Sequence, residues 1–231
     1  MKIQGFQKMT LLDFPGRVAC TVFLGGCDFR CPFCHNFELA DGSARPVMDE
    51  DELLGFLQKR QGLLDGVAIT GGEPCLHPGL PELMRRIRDM GFALKLDTNG
   101  AHPDRLAAIL SEGLADYVAM DIKNSPAKYA LTAGLAQLDL APVRQSVGLL
   151  LGGDVDFEFR TTVVDELHEP EDFEAIGAWI AGARRYFLQV FTDRDTVPFG
   201  NLHAPSAEKL RRCLEIARRY VPDSQLRGAE A

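Results

Sequence analysis

The sequence predicts an α/β protein with a parallel sheet, because six β-rich runs alternate with amphipathic helical patterns along the chain. Two of these runs, GVAIT and YVAMDI, are apolar almost throughout, as strands are when both faces of a sheet are covered. The chain has 231 residues, of which 46% are hydrophobic, enough to bury one substantial core. The sequence contains no Ser- or Gly-rich linker and no low-complexity segment. We therefore expect a single domain over residues 1–231.

The predicted strands are short runs rich in β-branched and aromatic residues, and a helical pattern follows each of them. Runs of about four to eight β-prone residues define the strands, and apolar residues at helical spacing define the helices. In chain order, the predicted strands are residues 17–24, 66–70, 92–97, 117–122, 157–164 and 186–191. The predicted helices are residues 50–61, 81–90, 102–110, 126–151, 171–181 and 206–220. Because only one helix is predicted after the sixth strand, we expect little chain to be available there to close the site.

The charge balance argues against nucleic acid and membranes as partners. The chain has 25 Lys and Arg against 33 Asp and Glu, a net charge of -8, which does not attract phosphate backbones or anionic lipid. No apolar run approaches the roughly 20 residues that cross a bilayer, and the N-terminus lacks the uninterrupted apolar core of a secretory signal. We expect a cytoplasmic protein.

The cysteines are distributed unevenly, and their clustering points to a metal. Cys27, Cys31 and Cys34 form a C-x3-C-x2-C arrangement after the first predicted strand, in a loop that starts with Gly25 and Gly26. In a reducing cytosol such clustering favours metal binding, and a disulfide framework is the alternative. Three thiolates can hold a four-iron four-sulfur cluster with one iron open, whereas structural zinc needs a fourth protein ligand. On spacing alone, zinc and buried or redox thiols also stay open. The other cysteines are expected to pack as small hydrophobic residues: Cys20, Cys75 and Cys213.

Polar motifs stand at the ends of three further predicted strands. GGEP at 71–74 follows the second strand, DTNG at 97–100 closes the third, and MDIK at 120–123 closes the fourth. Because the carboxyl ends of parallel strands share one edge, we expect one common site there. Taken alone, GGEP and Asn99-Gly100 are also ordinary turns, and Asp121 with Lys123 is also a solvated pair at a strand edge. Arg160, in the fifth strand, faces either the interior or the solvent, and we favour the interior.

The C-x3-C-x-aromatic-C pattern, with Phe33 as the aromatic residue, resembles the signature of the radical S-adenosylmethionine (SAM) superfamily. GGEP, one βα unit later, resembles its second hallmark. With DTNG and MDIK, the stretch TLLDFPGRVACTVFLGGCDFRCPFCHN resembles activating enzymes of glycyl radical enzymes, among them those of anaerobic ribonucleoside-triphosphate reductase and pyruvate formate-lyase. The resemblance covers nearly the whole chain and becomes thin after Val164. It implies a partial (β/α)6 barrel of the TIM type, with a radical SAM core and a cluster loop at residues 25–38.

The resemblance also implies cofactors and residue roles. The cofactors are a 4Fe-4S cluster held by Cys27, Cys31 and Cys34, and SAM, whose reductive cleavage gives a 5′-deoxyadenosyl radical; no further catalytic residue is implied. The GGEP glycines let the backbone approach the SAM amino group, whose charge Glu73 offsets, and Lys123 meets the SAM carboxylate. The third-strand motif suits ribose hydroxyls or a substrate backbone. The residues expected to bind cofactor are Phe33, Gly71, Gly72, Glu73, Asp97, Asn99, Asp121, Lys123, Arg160 and Gln189.

The implied activity is abstraction of a hydrogen atom from a glycine of a partner glycyl radical enzyme, anaerobic ribonucleoside-triphosphate reductase being the expected partner. A flavodoxin- or ferredoxin-type protein is the implied electron donor. The hallmark motifs fix the radical chemistry but not the substrate, so a radical SAM enzyme acting on a small molecule or peptide is a second hypothesis. A zinc- or cluster-stabilised binding module without turnover is a third. His35 and Asn36 are expected to shape the cluster loop, and the remaining histidines to be surface or satisfied polar groups.

Overall fold

The computed structural model describes residues 1–228, and its main feature is one nine-stranded sheet. The strands are β1 (Lys2–Thr10), β2 (Ala19–Leu24), β3 (Met48–Asp49), β4 (Gly66–Gly71), β5 (Ala93–Thr98), β6 (Tyr117–Asp121), β7 (Asp156–Val163), β8 (Tyr186–Val190) and β9 (Ser224–Arg227). Their order in the sheet is β3-β1-β2-β4-β5-β6-β7-β8-β9. A single domain over residues 1–231 stays a prediction, and its last three residues lie outside the described part of the chain.

All six predicted strands are present, as β2 and β4 to β8, and they pair in parallel in chain order. A parallel pair cannot be joined by a tight turn, so the chain between two such strands crosses the face of the sheet, usually as a helix. The α/β class and the parallel sheet are thus confirmed.

Three strands were not predicted, and all three lie at the ends of the sheet. β1 pairs antiparallel with β2, β3 pairs antiparallel with β1, and β9 pairs in parallel with β8. The sequence of β1, KIQGFQKMT, has polar residues and a glycine where a strand pattern would have β-branched residues, and the other two strands are too short to show a period. The prediction of six strands is therefore wrong in number, and β9 corrects the expectation that only a helix follows the sixth strand.

The helices cover the outer face of the sheet, where their apolar side chains join one core with outward residues of the strands such as Val67 and Ile69. The helices are α1 (Phe37–Ala40), α2 (Glu50–Gln58), α3 (Leu80–Asp89), α4 (Pro103–Ser111), α5 (Tyr129–Thr132), α6 (Ala141–Leu151), α7 (Asp172–Trp179) and α8 (Ala207–Tyr220). Within residues 1–228, none of them is long and apolar enough to cross a membrane.

The predicted helix over residues 126–151 is divided into α5 and α6. After α5, Gly134 has a positive φ of 71°, and a Cβ at this position would overlap the carbonyl oxygen of Arg30. The Arg30 N–H donates to the Ala133 carbonyl at 2.8 Å, so the break in the helix packs against the cluster loop. Tertiary contact with that loop ends a helix that the sequence pattern continues.

The inner face of the sheet encloses an apolar floor with a polar interior above it. The loop between β1 and β2 places Phe14 in a small apolar cluster with Ala19, Tyr117 and Ala119 at the lower end of the sheet. Above this floor, a cavity of about 170 Å³ is lined by the same loop together with inward side chains of β5, β7, β8 and β9. Because the loop and β9 come from opposite ends of the sheet, the sheet curls round on itself as a partial barrel.

We expect Phe14→Ala to lower the free energy of unfolding by about 3 kcal/mol, because it leaves a cavity in the floor of the barrel. Phe14 is only 2% exposed. Urea unfolding followed by circular dichroism measures the change. The matched control is Leu12→Ala in the same loop, where the side chain is 90% exposed and stability should change by less than about 0.5 kcal/mol. Equal losses in the two variants would show that Phe14 does not seal the floor.

Candidate active site

A cavity of about 260 Å³ lies at the carboxyl-terminal edge of the sheet, between the cluster loop and the ends of β4 to β8. Loops converge at this edge because the parallel strands all end there. Of the residues expected to bind cofactor, all but Glu73 line this cavity. The residues lining it are Cys27, Phe29, Cys31, Phe33, Cys34, His35, Asn36, Ala40, Thr70, Gly71, Gly72, Asp97, Thr98, Asn99, Asp121, Lys123, Arg160, Thr162 and Gln189.

The cluster loop is closed by one hydrogen bond between its start and helix α1, and a second bond ties its end to the edge of the sheet. The Gly26 N–H donates to the Leu39 carbonyl at 2.7 Å, and the Asn36 carboxamide donates to the Gly71 carbonyl at 3.3 Å. Gly26 has a positive φ of 82°, a conformation that glycine adopts without a steric penalty. The loop therefore turns sharply after β2 and carries its three thiols along the strand ends.

Cys27, Cys31 and Cys34 all line the cavity as free thiols. Burial raises the pKa of Cys27 to about 12 and that of Cys31 to about 11, so bare thiolates are disfavoured without a bound cation. Three thiolates can hold a 4Fe-4S cluster that leaves one iron open to a non-protein ligand, whereas structural zinc takes four protein ligands. The three thiols of this cavity therefore fit the cluster better than structural zinc.

The backbone of Gly71 and Gly72 forms one wall of the cavity, and there is no room for a side chain at either position. Gly71 has a φ of 123°, and a Cβ there would overlap the carbonyl oxygen of Leu24; a Cβ on Gly72 would overlap that of Gly26. The Gly72 N–H donates to the Leu24 carbonyl and the Glu73 N–H to the Gly26 carbonyl, both at 2.8 Å. The two glycines are therefore required for the turn after β4 to pack directly on the end of β2.

Glu73 lies behind this wall and does not line the cavity, and an offset of the charge of the SAM amino group by Glu73 stays a prediction. Its side chain is 0% exposed, and both carboxylate oxygens accept hydrogen bonds from the protein. One oxygen accepts from the Cys75 N–H at 2.9 Å and the Thr98 hydroxyl at 2.8 Å, and the other from the Asn99 N–H at 2.6 Å. Burial raises the pKa of Glu73, although these bonds oppose the shift. The carboxylate joins the GGEP turn to the DTNG turn.

Asn99 lines the cavity, but its carboxamide is directed at a thiol of the cluster loop. The side-chain Nδ2 lies 3.7 Å from the Cys27 Sγ, while the Oδ1 accepts from the Ala101 N–H at 2.8 Å. The contact of this motif with a ribose or a substrate backbone stays a prediction.

A network of charged side chains lies in the barrel interior below the thiols. Arg160 faces inward and bridges two strands, with its Nε 3.0 Å from Asp121 and its Nη1 3.4 Å from Asp97. Lys123 pairs with Asp121 at 2.9 Å, and Lys95 pairs with Asp97. Burial alone would raise the pKa of Asp121, but Lys123 and Arg160 outweigh it and lower that pKa to about 2. Likewise, Arg160 and Lys95 outweigh the burial of Asp97 and hold its pKa below its usual value.

The histidines bind backbone carbonyls and carboxylates of the loops around the cavity. His35 stacks on Phe191, and its Nε2 lies 2.7 Å from the Thr192 carbonyl oxygen. His168 is buried, with its Nε2 2.8 Å from the Lys123 carbonyl oxygen, and burial lowers its pKa. The remaining contacts are His77 with the Gly25 carbonyl, His102 with Asp28, and His203 with Glu166. Cys20, Cys75 and Cys213 are buried, as expected.

Residues 21–148, more than half of the chain, match the family profile described as the radical SAM superfamily. The chain belongs to the radical SAM superfamily. The matched stretch contains the three cavity thiols, the Gly71–Gly72 wall and the pair of Asp121 and Lys123.

Relatives of this radical SAM protein have different functions. A Methanocaldococcus jannaschii protein that carries the provisional name of a glycyl-radical enzyme activating enzyme is 29% identical over 234 residues, 97% of this chain and 95% of its own. The 7-carboxy-7-deazaguanine synthase of Methanopyrus kandleri is 35% identical over 132 residues, 48% of this chain and 51% of its own. The pyruvate formate-lyase-activating enzyme of Clostridium pasteurianum is 30% identical over 128 residues, 53% of this chain and 52% of its own.

The fold is shared with solved structures. Streptococcus suis SuiB bound to precursor peptide SuiA superposes with a TM-score of 0.72 at 13% sequence identity, over 91% of this chain and 48% of SuiB. At that identity the likeness concerns the fold alone. It agrees with the predicted partial barrel and radical SAM core, and both are confirmed.

Membership of the superfamily gives the protein its two cofactors, a 4Fe-4S cluster and SAM. The site fits both groups. Three thiols in one cavity match a cluster that leaves one iron for a non-protein ligand. Beside them, the glycine wall admits close approach of a ligand, and a lysine ammonium is available to an anionic group.

Sequence reasoning missed part of the charged interior. The Arg227 guanidinium donates to both carboxylate oxygens of Glu158, at 2.8 and 3.1 Å, and the Tyr117 hydroxyl donates to Glu158 at 2.8 Å. Alternation along β5 and β7 puts Lys95 and Glu158 on the same face as Asp97 and Arg160, a signal that was available in the sequence. Arg227 gave no such signal, because it lies on the unpredicted β9.

We expect Gly71→Ala to lower the free energy of unfolding by more than about 2 kcal/mol and to abolish SAM binding, because a Cβ overlaps fixed backbone. Denaturant unfolding and SAM titration measure the two effects. The matched control is Gly62→Ala, which has a positive φ of 76° but no atom within 4 Å of the added Cβ. That control should cost about 1 kcal/mol from backbone strain and keep SAM binding. Normal SAM affinity in Gly71→Ala would contradict the close packing of this wall.

Proposed function

We propose that the protein activates a glycyl radical enzyme by abstracting a hydrogen atom from one of its glycines, and that anaerobic ribonucleoside-triphosphate reductase is the partner. The observation that carries the proposal is the sharing of one cavity by three thiols, the Gly71–Gly72 wall and Lys123, in a barrel that stays open at its side. The match to the M. jannaschii relative, along nearly the full length of both chains, supports the substrate class.

We propose that Cys27, Cys31 and Cys34 ligate the cluster. Lys123 would pair with the carboxylate of SAM, since its ammonium shares its one carboxylate partner, Asp121, with a guanidinium. A charge-assisted bond of this kind is strong in a partly desolvated cavity. The other residues that would contact SAM from the walls of the cavity are Phe33, Gly71, Gly72, Asp97 and Gln189.

When bound, the reduced cluster would supply one electron to the sulfonium of SAM, whose cleavage would release methionine and provide the capacity to abstract a hydrogen atom. In an activase, that atom would come from a glycine Cα–H bond of the partner, and the Cα would keep the unpaired electron. We propose a flavodoxin- or ferredoxin-type protein as the donor of the one electron. The residues of this chain position the reactants, and the apolar floor around Phe14 closes the lower end of the barrel to water.

Access for a polypeptide loop is supported by the open side of the barrel. Within residues 1–228, β9 and β1 do not pair, and β3 covers only Lys2 and Ile3 of β1. The cavity of about 170 Å³ beneath this side shares Asp97, Arg160 and Gln189 with the candidate active site. A glycine suits such an approach, because its Cα reaches the reacting carbon without a side chain in the way.

A second candidate is a radical SAM enzyme that acts on a small molecule. It is favoured by the match to a 7-carboxy-7-deazaguanine synthase, which has the higher identity over a shorter stretch. Both candidates require SAM cleavage, so they differ only in what loses the hydrogen atom. A binding module without turnover is the third possibility, and it does not require SAM cleavage.

We expect Cys31→Ala to abolish reductive SAM cleavage, because two thiolates do not retain a site-differentiated cluster. Iron content, absorbance and dithionite-dependent formation of 5′-deoxyadenosine are measured on anaerobically reconstituted protein. The matched control is Cys20→Ala, which changes a buried thiol on the outer face of β2 and should keep cluster and cleavage. Full iron content and turnover in Cys31→Ala would overturn the ligand set, and absence of SAM cleavage by the wild type would favour the module without turnover.

We expect the reduced protein with SAM to produce a glycyl radical doublet, seen by electron paramagnetic resonance, in anaerobic ribonucleoside-triphosphate reductase. The matched control is the same reductase with its radical-bearing glycine changed to alanine, whose side chain obstructs the approach of the Cα. If SAM is cleaved but no glycyl radical enzyme acquires the doublet, the activase proposal fails and the small-molecule candidate replaces it.

A further inference from the structure

We propose that the Asn99 carboxamide donates a hydrogen bond to the cluster thiolate of Cys27 and thereby raises the reduction potential of the cluster, with Glu73 as the residue that positions it. The inference rests on the proposed role of Cys27 as a cluster ligand. It assigns Asn99 a function toward the cluster, distinct from the predicted contact with a ribose or a substrate.

The orientation of the Asn99 carboxamide is fixed by its own turn. Its Oδ1 accepts the Ala101 N–H at 2.8 Å, so the Nδ2 is the atom that faces the Cys27 Sγ, at 3.7 Å. In the reversed amide, the NH2 donor would face the Ala101 N–H donor and the carbonyl oxygen would face the sulfur, so the hydrogen-bond network assigns the nitrogen to the side of Cys27. Asn99 is only 5% exposed, so water does not compete freely for this donor.

The distance between Asn99 and Cys27 is set by Glu73. The Glu73 N–H donates to the carbonyl of Gly26, the residue before Cys27, at 2.8 Å. Its carboxylate accepts the Asn99 backbone N–H at 2.6 Å. The contact of the carboxamide with the sulfur adds a third link. The cluster loop, the GGEP turn and the DTNG turn are thus each joined to the other two. The Glu73 carboxylate therefore positions the Asn99 carboxamide next to the Cys27 thiol.

Cys27 is distinguished from the other two thiols by this contact. Its Sγ also accepts the Phe29 backbone N–H at 3.4 Å. Within residues 1–228, Asn99 provides the one side-chain hydrogen bond to a sulfur of the cluster loop. Hydrogen bonds to ligand sulfur are one of the determinants of iron-sulfur potentials, because they stabilise the more negative, reduced state. Asn99 thus makes the cluster easier to reduce by the donor protein.

The test is a redox titration of the reconstituted holoprotein without SAM, with the reduced cluster measured by electron paramagnetic resonance. Asn99→Leu removes the donor, and we expect the reduced-to-oxidised ratio at a fixed potential to fall about tenfold, which is 59 mV for a one-electron couple. Asn99→Asp keeps the acceptor for Ala101 but puts a carboxylate oxygen against the sulfur, so its potential should fall further. The control is Thr162→Val, which removes a polar group from the same cavity and should leave the potential unchanged.

A wild-type potential in both Asn99 variants would overturn the proposal. A wild-type potential in Asn99→Asp alone would also overturn it, because it would show that Asn99 acts only by accepting the Ala101 N–H in the turn. Should neither variant retain a cluster, wild-type holoprotein with asparagine labelled with ¹⁵N only at the side-chain amide decides. The bond predicts a ¹⁵N hyperfine coupling to the reduced cluster, and the absence of that coupling excludes the bond. Failure of the wild type to bind a cluster would instead contradict the proposed function.

Discussion

The buried carboxylate of Glu73 is the interaction on which the geometry of the site depends. Its oxygens accept three hydrogen bonds, from Cys75, Thr98 and Asn99, and each bond to a charged group contributes roughly 1.5–3 kcal/mol. Its backbone N–H holds the start of the cluster loop at Gly26. Because β2, β4 and β5 are neighbours in the sheet, this one residue fixes three consecutive strand ends relative to one another. The GGEP turn thus has a structural role, since it holds the wall of the cavity in place.

Charge balance inside the barrel is the second constraint. Asp97 and Asp121 lie close enough to contact the same guanidinium, and two carboxylates at such distances raise each other's pKa unless cations separate them. Arg160 lies between them, and Lys95 and Lys123 each add a further ion pair. Glu158 and Arg227 continue this network, so anionic and cationic side chains alternate through the barrel interior. Lys123, at the upper end of the network, lines the cavity beside the thiols.

The sequence predicted the parallel strands and the shared strand-end site because both depend on local patterns. Apolar runs such as GVAIT mark strands covered on both faces, and turn motifs after them mark one edge of the sheet. β1 and β9 were not predicted because strands near the ends of the sheet lack such runs, and their pairing depends on the neighbouring strands. The orientation of the Glu73 side chain was not predicted for a related reason. Its hydrogen-bond partners Thr98 and Asn99 lie a full βα unit further along the chain. A motif indicates which residues are used, whereas only packing decides which of them face the ligand.

The two halves of the chain contribute differently to the cavity. The thiols, the glycine wall and Lys123 all lie within the stretch that matches the superfamily profile, residues 21–148. Arg160, Thr162 and Gln189 follow that stretch and line the opposite wall, and Arg227 on β9 continues the lining toward the open side. The three thiols and the glycine wall thus come from the stretch that matches the superfamily, whereas the facing wall of the cavity comes from residues that follow it.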